Sequence, residues 1–208
     1  MTYKILLIED EELHLELLCR HLKREKTATG EDLFDVTPCK DLSSALKAWS
    51  LSLEADNEKF DLVLMDYLTP VGAIEKLPVE VPENIQILFA KRKFAGKEIA
   101  GWQLVWQILY SAPRGQRPVP IIIMSGTDFL WDENKEELRS AYEVVDSKIG
   151  ALLKEVGLIA KPFRMEKLLP LVYEKLGIER IINGVKATPH PPGETGPAQG
   201  TGPGFPHP

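Results

Sequence analysis

Residues 61–70 read Asp-Leu-Val-Leu-Met-Asp-Tyr-Leu-Thr-Pro, and this stretch decides the fold class. Its apolar part, residues 62–65, is too short for a helix and shows no alternation of polar and apolar side chains. A short continuous apolar run is typical of a strand that is buried on both faces, as in a parallel sheet covered by helices. We therefore predict a strand over residues 61–65, ending at Asp66.

Similar apolar runs predict three more strands, over residues 5–8, 119–124 and 158–160, and residues 34–39 are predicted to form a further strand. Segments with helical periodicity lie between and after them, over residues 11–26, 41–53, 101–110, 133–156 and 165–176. Alternating strands and helices without hairpin dipeptides predict an α/β fold. We expect a doubly wound, five-stranded parallel sheet with helices on both faces.

Two local features of the helices are predicted. In the first helix, Leu13, Leu17, Leu18 and Leu22 recur at helical spacing and predict its buried face. In the second, Asp41 stands where a side chain accepting a hydrogen bond from the first turn would cap the helix.

The chain is predicted to form one domain over residues 1–180, with an insertion and a tail. Residues 71–100 are irregular in pattern, with a small hairpin expected from the apolar residues of 79–81 and 85–90. We expect this insertion to cover an apolar stripe of the next helix, formed by Trp102, Trp106 and Leu109. Residues 187–208 contain 12 Pro or Gly among 22 residues, a composition that predicts a disordered tail.

The composition argues against a nucleic-acid-binding protein and against a membrane protein. A net charge of −6 argues against nucleic acid as a partner, and 44% hydrophobic residues suffice for a core. No apolar run approaches the ~20 residues that span a bilayer, so no membrane association is expected. The two cysteines, Cys19 and Cys39, form no metal-binding motif and suit a reducing, cytoplasmic location.

Polar residues follow four of the predicted strands directly. They are Glu9 and Asp10 after the first strand, Asp66 after the third, Ser125 after the fourth and Lys161 after the fifth. In an open parallel sheet, binding sites form at the carboxyl ends of the strands. These side chains are therefore predicted to converge.

Three carboxylates at one edge need a cation, and magnesium suits oxygen ligands while keeping positions for water and phosphate. An aspartate can act as the nucleophile toward a phosphoryl group, giving an aspartyl phosphate. Lys161 would neutralise one phosphate oxygen, and Ser125 would donate a hydrogen bond to another.

The same segments resemble the receiver domain of response regulators in two-component signalling. The resemblance rests on Ile5-Leu6-Leu7-Ile8-Glu9-Asp10-Glu11, on residues 61–70 with the proline four positions after Asp66, on Ile121-Ile122-Ile123-Met124-Ser125-Gly126, and on Lys161-Pro162-Phe163. It extends from residue 1 to about residue 176. It implies the flavodoxin-like strand order 2-1-3-4-5.

The resemblance also implies roles and partners. Asp66 would accept the phosphoryl group, with Lys161 and Ser125 assisting. Asp10, Asp66 and the backbone carbonyl of Leu68 would bind Mg²⁺ directly, and Glu9 would act through water. The donor would be a phosphohistidine on a sensor histidine kinase or a histidine phosphotransfer protein, and the output would be a phosphorelay or contact with an unknown downstream protein. Such a domain is a signalling module rather than an enzyme. Whether it forms a homodimer is left open.

The sequence disfavours two other functions. The acidic residues after the first strand disfavour a flavodoxin-type flavin site, and Leu68 stands where a haloacid-dehalogenase phosphatase has its second aspartate. Leu158 stands where receivers commonly have an aromatic switch residue, which disfavours the usual coupling of a hydroxyl to an aromatic ring but not phosphorylation itself. A phosphorylation-independent receiver-like interaction module is the alternative, although such modules usually lose one of the site residues and all five are present here. His14 and His21 lie on the first helix, where a solvated surface is expected rather than a phosphodonor role.

Overall fold

Five parallel strands form the central sheet. They are β1 (Tyr3–Ile8), β2 (Phe34–Cys39), β3 (Leu62–Asp66), β4 (Ile121–Ser125) and β5 (Gly157–Ala160). The spatial order is β2, β1, β3, β4, β5, and every neighbouring pair is parallel. The predicted flavodoxin-like order 2-1-3-4-5 is confirmed.

The computed structural model describes residues 2–54, 59–70, 119–126 and 156–179, with shorter stretches at 93–94, 97–98, 104–105, 107–108, 181–182 and 185–186. The predicted hairpin of residues 79–81 and 85–90, the stripe of Trp102, Trp106 and Leu109, the helix over 133–155 and the tail 187–208 lie outside these residues. Within the predicted insertion, Lys93–Phe94 pairs antiparallel with Lys97–Glu98.

The chain divides into two units, Met1–Ile178 and Glu179–Pro208. The first contains the sheet and its helices. In the second, Ile181–Ile182 pairs antiparallel with Val185–Lys186. Among the described residues, none of the helices has the length and apolar character needed to cross a membrane.

Helices cover both faces of the sheet, as predicted. Helices α1 (Glu12–Leu22) and α3 (Met165–Leu176) pack in one apolar cluster, and α2 (Leu42–Glu54) packs in another with the helical residues Leu104, Val105 and Ile108. Strand residues alternate between the two clusters: Ile5 and Leu7 face α1 and α3, whereas Leu6 and Ile8 face α2. This explains why residues 5–8, 62–65 and 121–124 are unbroken apolar runs.

The predicted buried face of α1 is partly wrong. Leu13 and Leu17 are 70% and 41% exposed, and the side chains that pack against the sheet are Leu15, Leu18 and Leu22. At 100° per residue, Leu13 lies nearly half a turn away from this inner face. Helix α1 carries leucines on two of its sides, so helical spacing alone does not show which side packs against the sheet.

Asp41 caps α2 as predicted. Its Oδ1 accepts a hydrogen bond of 2.7 Å from the backbone N–H of Ser44, and the Ser44 hydroxyl lies 3.4 Å from the N–H of Asp41 in return. This reciprocal pairing satisfies N–H groups that have no partner within the helix.

Asp41→Ala should lower the free energy of unfolding by about 1 kcal/mol, because one N–H of the first turn loses its acceptor. Urea denaturation followed by far-ultraviolet circular dichroism measures the change. Asp35→Ala, at an exposed position of β2, is the matched control and should have a much smaller effect. Equal losses in the two variants would contradict the capping role.

Candidate functional site

The carboxyl edge of the sheet brings the predicted site residues together. Asp66 is the last residue of β3 and Ser125 the last of β4, while Glu9 and Lys161 directly follow β1 and β5. The register pairs Ile8 with Met65, Asp66 with Met124, and Ser125 with Ala160, so these strands end at nearly the same level.

Lys161 lies between two of the acids. Its Nζ is 2.6 Å from Glu9 Oε2 and 3.0 Å from Asp66 Oδ2. Its backbone N–H donates a hydrogen bond of 2.6 Å to the carbonyl of Ser125, which fixes the start of the loop after β5. The peptide bond between Lys161 and Pro162 is cis. The lysine is therefore held by its backbone as well as by its charge.

The site is largely shielded from solvent. Glu9 is 1% exposed, Asp66 8% and Ser125 6%. Burial raises the pKa of Glu9, and the hydrogen bond and charge of Lys161 offset this only in part. Burial pushes the pKa of Lys161 down, but the hydrogen bond to Glu9 and the charges of Asp66 and Glu9 outweigh it, so the net direction is up. The ammonium form of Lys161 is thus favoured.

The three acids fit a divalent cation. Glu9, Asp10 and Asp66 each offer a carboxylate oxygen, and these oxygens lie within 4.8 Å of one another. When all are ionised, three carboxylates and one ammonium leave two negative charges uncompensated, which matches one divalent ion. An all-oxygen ligand set is the one that Mg²⁺ prefers. The geometry thus brings together the acids that the sequence assigned to magnesium.

Residues of the turn after β3 contact both the side chain and the backbone of Asp66. The N–H of Leu68 is 3.4 Å from Asp66 Oδ1, and the Thr69 hydroxyl donates a hydrogen bond of 2.7 Å to the Asp66 carbonyl. Thr69 is 1% exposed, and its role was not predicted from the sequence. The clue was a threonine three residues after an aspartate, where a hydroxyl can bond back to the main chain. The Leu68 carbonyl as a metal ligand stays a prediction.

His14 also belongs to this region, contrary to its interpretation as part of a solvated helix surface. Its side chain is 34% exposed, and its Nδ1 lies 3.5 Å from Glu9 Oε2. The imidazole stacks on the ring of Phe163, with centroids 6.3 Å apart. Since His14 is four residues before the buried Leu18, the sequence would have placed it on the inner side of α1 only if the buried stripe had been identified correctly.

Comparison with known proteins gives similarity to solved structures only, since no family model and no curated protein matches the chain. The chain resembles the non-phosphorylated HemR receiver domain from Leptospira biflexa, with 20% identity over 86% of this chain and 98% of that one and a TM-score of 0.47. It also resembles a CheY-like response-regulator receiver domain from Methanospirillum hungatei, with 18% identity, coverages of 85% and 95% and a TM-score of 0.44.

A third similar structure is the phosphorylated cyanobacterial phytochrome response regulator RcpA, with 15% identity, coverages of 84% and 91% and a TM-score of 0.46. Similarities of this size assign no role to any residue. The function has to be inferred from the side chains of the site.

Replacing Glu9 by glutamine should change the pH dependence of stability in the presence of a metal chelator. The folded-state pKa of Glu9 lies above its ordinary value of 4.5. Its contribution to stability is therefore fully present below pH 4.5 and is lost as the pH rises through the raised pKa. Glu9→Gln has no carboxyl group to ionise, so its stability relative to wild type should increase across that window, as measured by urea unfolding at successive pH values.

Glu16→Gln is the control, because Glu16 is exposed on α1. Its stability should follow that of the wild type at every pH. A Glu9→Gln curve that also runs parallel to the wild type would show that burial does not disfavour the Glu9 carboxylate.

Proposed function

We propose that this chain is a response-regulator receiver that accepts a phosphoryl group on Asp66 in a magnesium-dependent reaction. The observation that carries the proposal is the placement of Lys161, whose ammonium contacts both Asp66 and Glu9 at the carboxyl edge of the sheet. A phosphohistidine on a sensor kinase or a phosphotransfer protein would be the donor. The phosphorylated chain would signal by protein contact or pass the group on in a phosphorelay.

The chemistry follows from where the side chains lie. An Asp66 carboxylate oxygen attacks the phosphorus as the phosphorus–nitrogen bond of the donor breaks, and the bonding electrons leave with the imidazole, which takes up a proton. An aspartyl phosphate results. A divalent cation held by Asp10 and Asp66 would supply positive charge that stabilises the charge developing on the phosphoryl group.

Lys161 supplies the second positive charge. In the structure its ammonium already contacts Asp66 Oδ2, so a small shift would place it against a phosphoryl oxygen. Ser125, at the end of the adjacent strand β4, would donate its hydroxyl proton to another oxygen. Thr69 would keep the Asp66 backbone in place during the attack, since it holds the carbonyl of the reacting residue.

A receiver-like module that works without phosphorylation is the alternative. One observation favours it: Leu158, which replaces the usual aromatic switch residue, packs against the core cluster on the α2 side. The usual coupling between a hydroxyl and an aromatic ring is therefore absent at this position. The phosphorylation experiment separates the two functions.

Incubation with a small acyl phosphate donor and Mg²⁺ should add one phosphoryl group to the wild-type chain, as measured by intact mass. Asp66→Asn should add none, because an amide is not a nucleophile toward phosphorus. Asp35→Asn, at an exposed position of β2, should be modified like the wild type. A wild-type chain that stays unmodified, or an Asp66→Asn chain that is modified, would rule out the phosphoacceptor role.

Substitution of the acids should affect Mg²⁺ binding unequally. Asp10→Ala should abolish binding at the site, because Asp10 is expected to be a direct ligand. Glu9→Ala should only weaken it, because Glu9 is expected to act through water and already pairs with Lys161. Isothermal titration with Mg²⁺ measures both variants, and equal losses would overturn the ligand assignment.

A further inference from the structure

A second group of potential metal ligands lies on the α1 side of Glu9. Glu9, Glu11 and His14 each offer one ligand atom, and the three atoms lie within 4.8 Å of one another. His14 Nδ1 is 3.5 Å from Glu9 Oε2 and 3.8 Å from Glu11 Oε2. This group differs from the all-oxygen set of Glu9, Asp10 and Asp66 because it contains an imidazole nitrogen.

The imidazole itself points to a ligand. His14 Nδ1 is buried as an atom and has no hydrogen-bond partner among the described residues. Its two carboxylate neighbours are too far away for a direct bond, since a charge-assisted N–H···O contact measures about 2.7–2.9 Å. Nδ1 thus faces two carboxylate oxygens without a hydrogen bond to either, and a cation placed between the three atoms would contact all of them.

The separations suit a metal ion. Two ligand atoms about 2.1 Å from one ion lie roughly 3.0–3.5 Å apart in octahedral or tetrahedral geometry, close to the distances around His14 Nδ1. The ring is also held in orientation by its stack on Phe163. Imidazole nitrogen favours zinc, cobalt and nickel, whereas magnesium prefers oxygen ligands.

We propose that Glu9, Glu11 and His14 form a second divalent site, selective for transition metals of the Zn²⁺ and Co²⁺ class. The site lies on the α1 side of the proposed phosphorylation site and shares the Glu9 carboxylate with it. Glu9 Oε2 faces His14 Nδ1 and also accepts the hydrogen bond of Lys161. A bound ion therefore competes with the ammonium of Lys161 for this oxygen and leaves Lys161 with Asp66 alone.

Titration of the 208-residue chain with Co²⁺, without Mg²⁺ or a phosphodonor, tests the proposal by calorimetry and visible absorption. His14→Leu should weaken Co²⁺ binding by roughly tenfold or more, because it removes the only nitrogen ligand in the group. His21→Leu is the matched control on the same helix and should bind Co²⁺ like the wild type. Glu11→Gln, at an exposed position that tolerates substitution, should also weaken binding.

Two more variants test the competition with Lys161 and distinguish this site from the proposed magnesium site. Lys161→Met should tighten Co²⁺ binding, because the competing ammonium is gone. Asp10→Ala should keep Co²⁺ binding, so failure of the magnesium assignment and failure of this site give different patterns. Co²⁺ binding by His14→Leu that equals the wild type would overturn the proposal, and so would a thiolate absorption band, which would place the ion on Cys19 or Cys39.

Discussion

The contact of the Lys161 ammonium with Glu9 and Asp66 is the interaction on which the site depends. It joins residues 152 positions apart in the sequence, at the ends of β1, β3 and β5. Buried carboxylates repel one another and are costly to desolvate unless a positive charge lies among them. One lysine lessens the cost without neutralising the cluster. The remaining negative charge is what makes the site receptive to a divalent cation.

The architecture of the sheet brings Lys161, Glu9 and Asp66 together. Helices cover both of its faces, so the central strands β3 and β4 are apolar up to their last residues, and their polar side chains stand at the strand ends. The parallel register then brings the ends of β1, β3, β4 and β5 to one edge. Core packing and chemistry therefore use different residues of the same strands, since Leu64 and Met124 pack in the core while Asp66 and Ser125 provide the polar groups at the strand ends.

The face of helix α1 that packs against the sheet determines which of its side chains lies beside Glu9. Because Leu15, Leu18 and Leu22 face the sheet, Leu13 and Leu17 are exposed and His14 lies beside Glu9. Rotation of the helix to bury Leu13 and Leu17 would have turned the imidazole away from the acids. The proposed transition-metal site therefore follows from the phase of this helix as much as from its composition.

The sequence by itself determined the five strand segments, the three helices α1, α2 and α3 and the polar residues that follow the strands. These properties are local, since an unbroken apolar run ending in an acid is visible without knowing its neighbours. Tertiary structure alone decided that Lys161 contacts Glu9 and Asp66, that Thr69 holds the Asp66 carbonyl, and which stripe of α1 is buried. Each of these depends on how separate elements pack against one another. On α1, more than one set of leucines has helical spacing, and only packing against the sheet decides which set is buried.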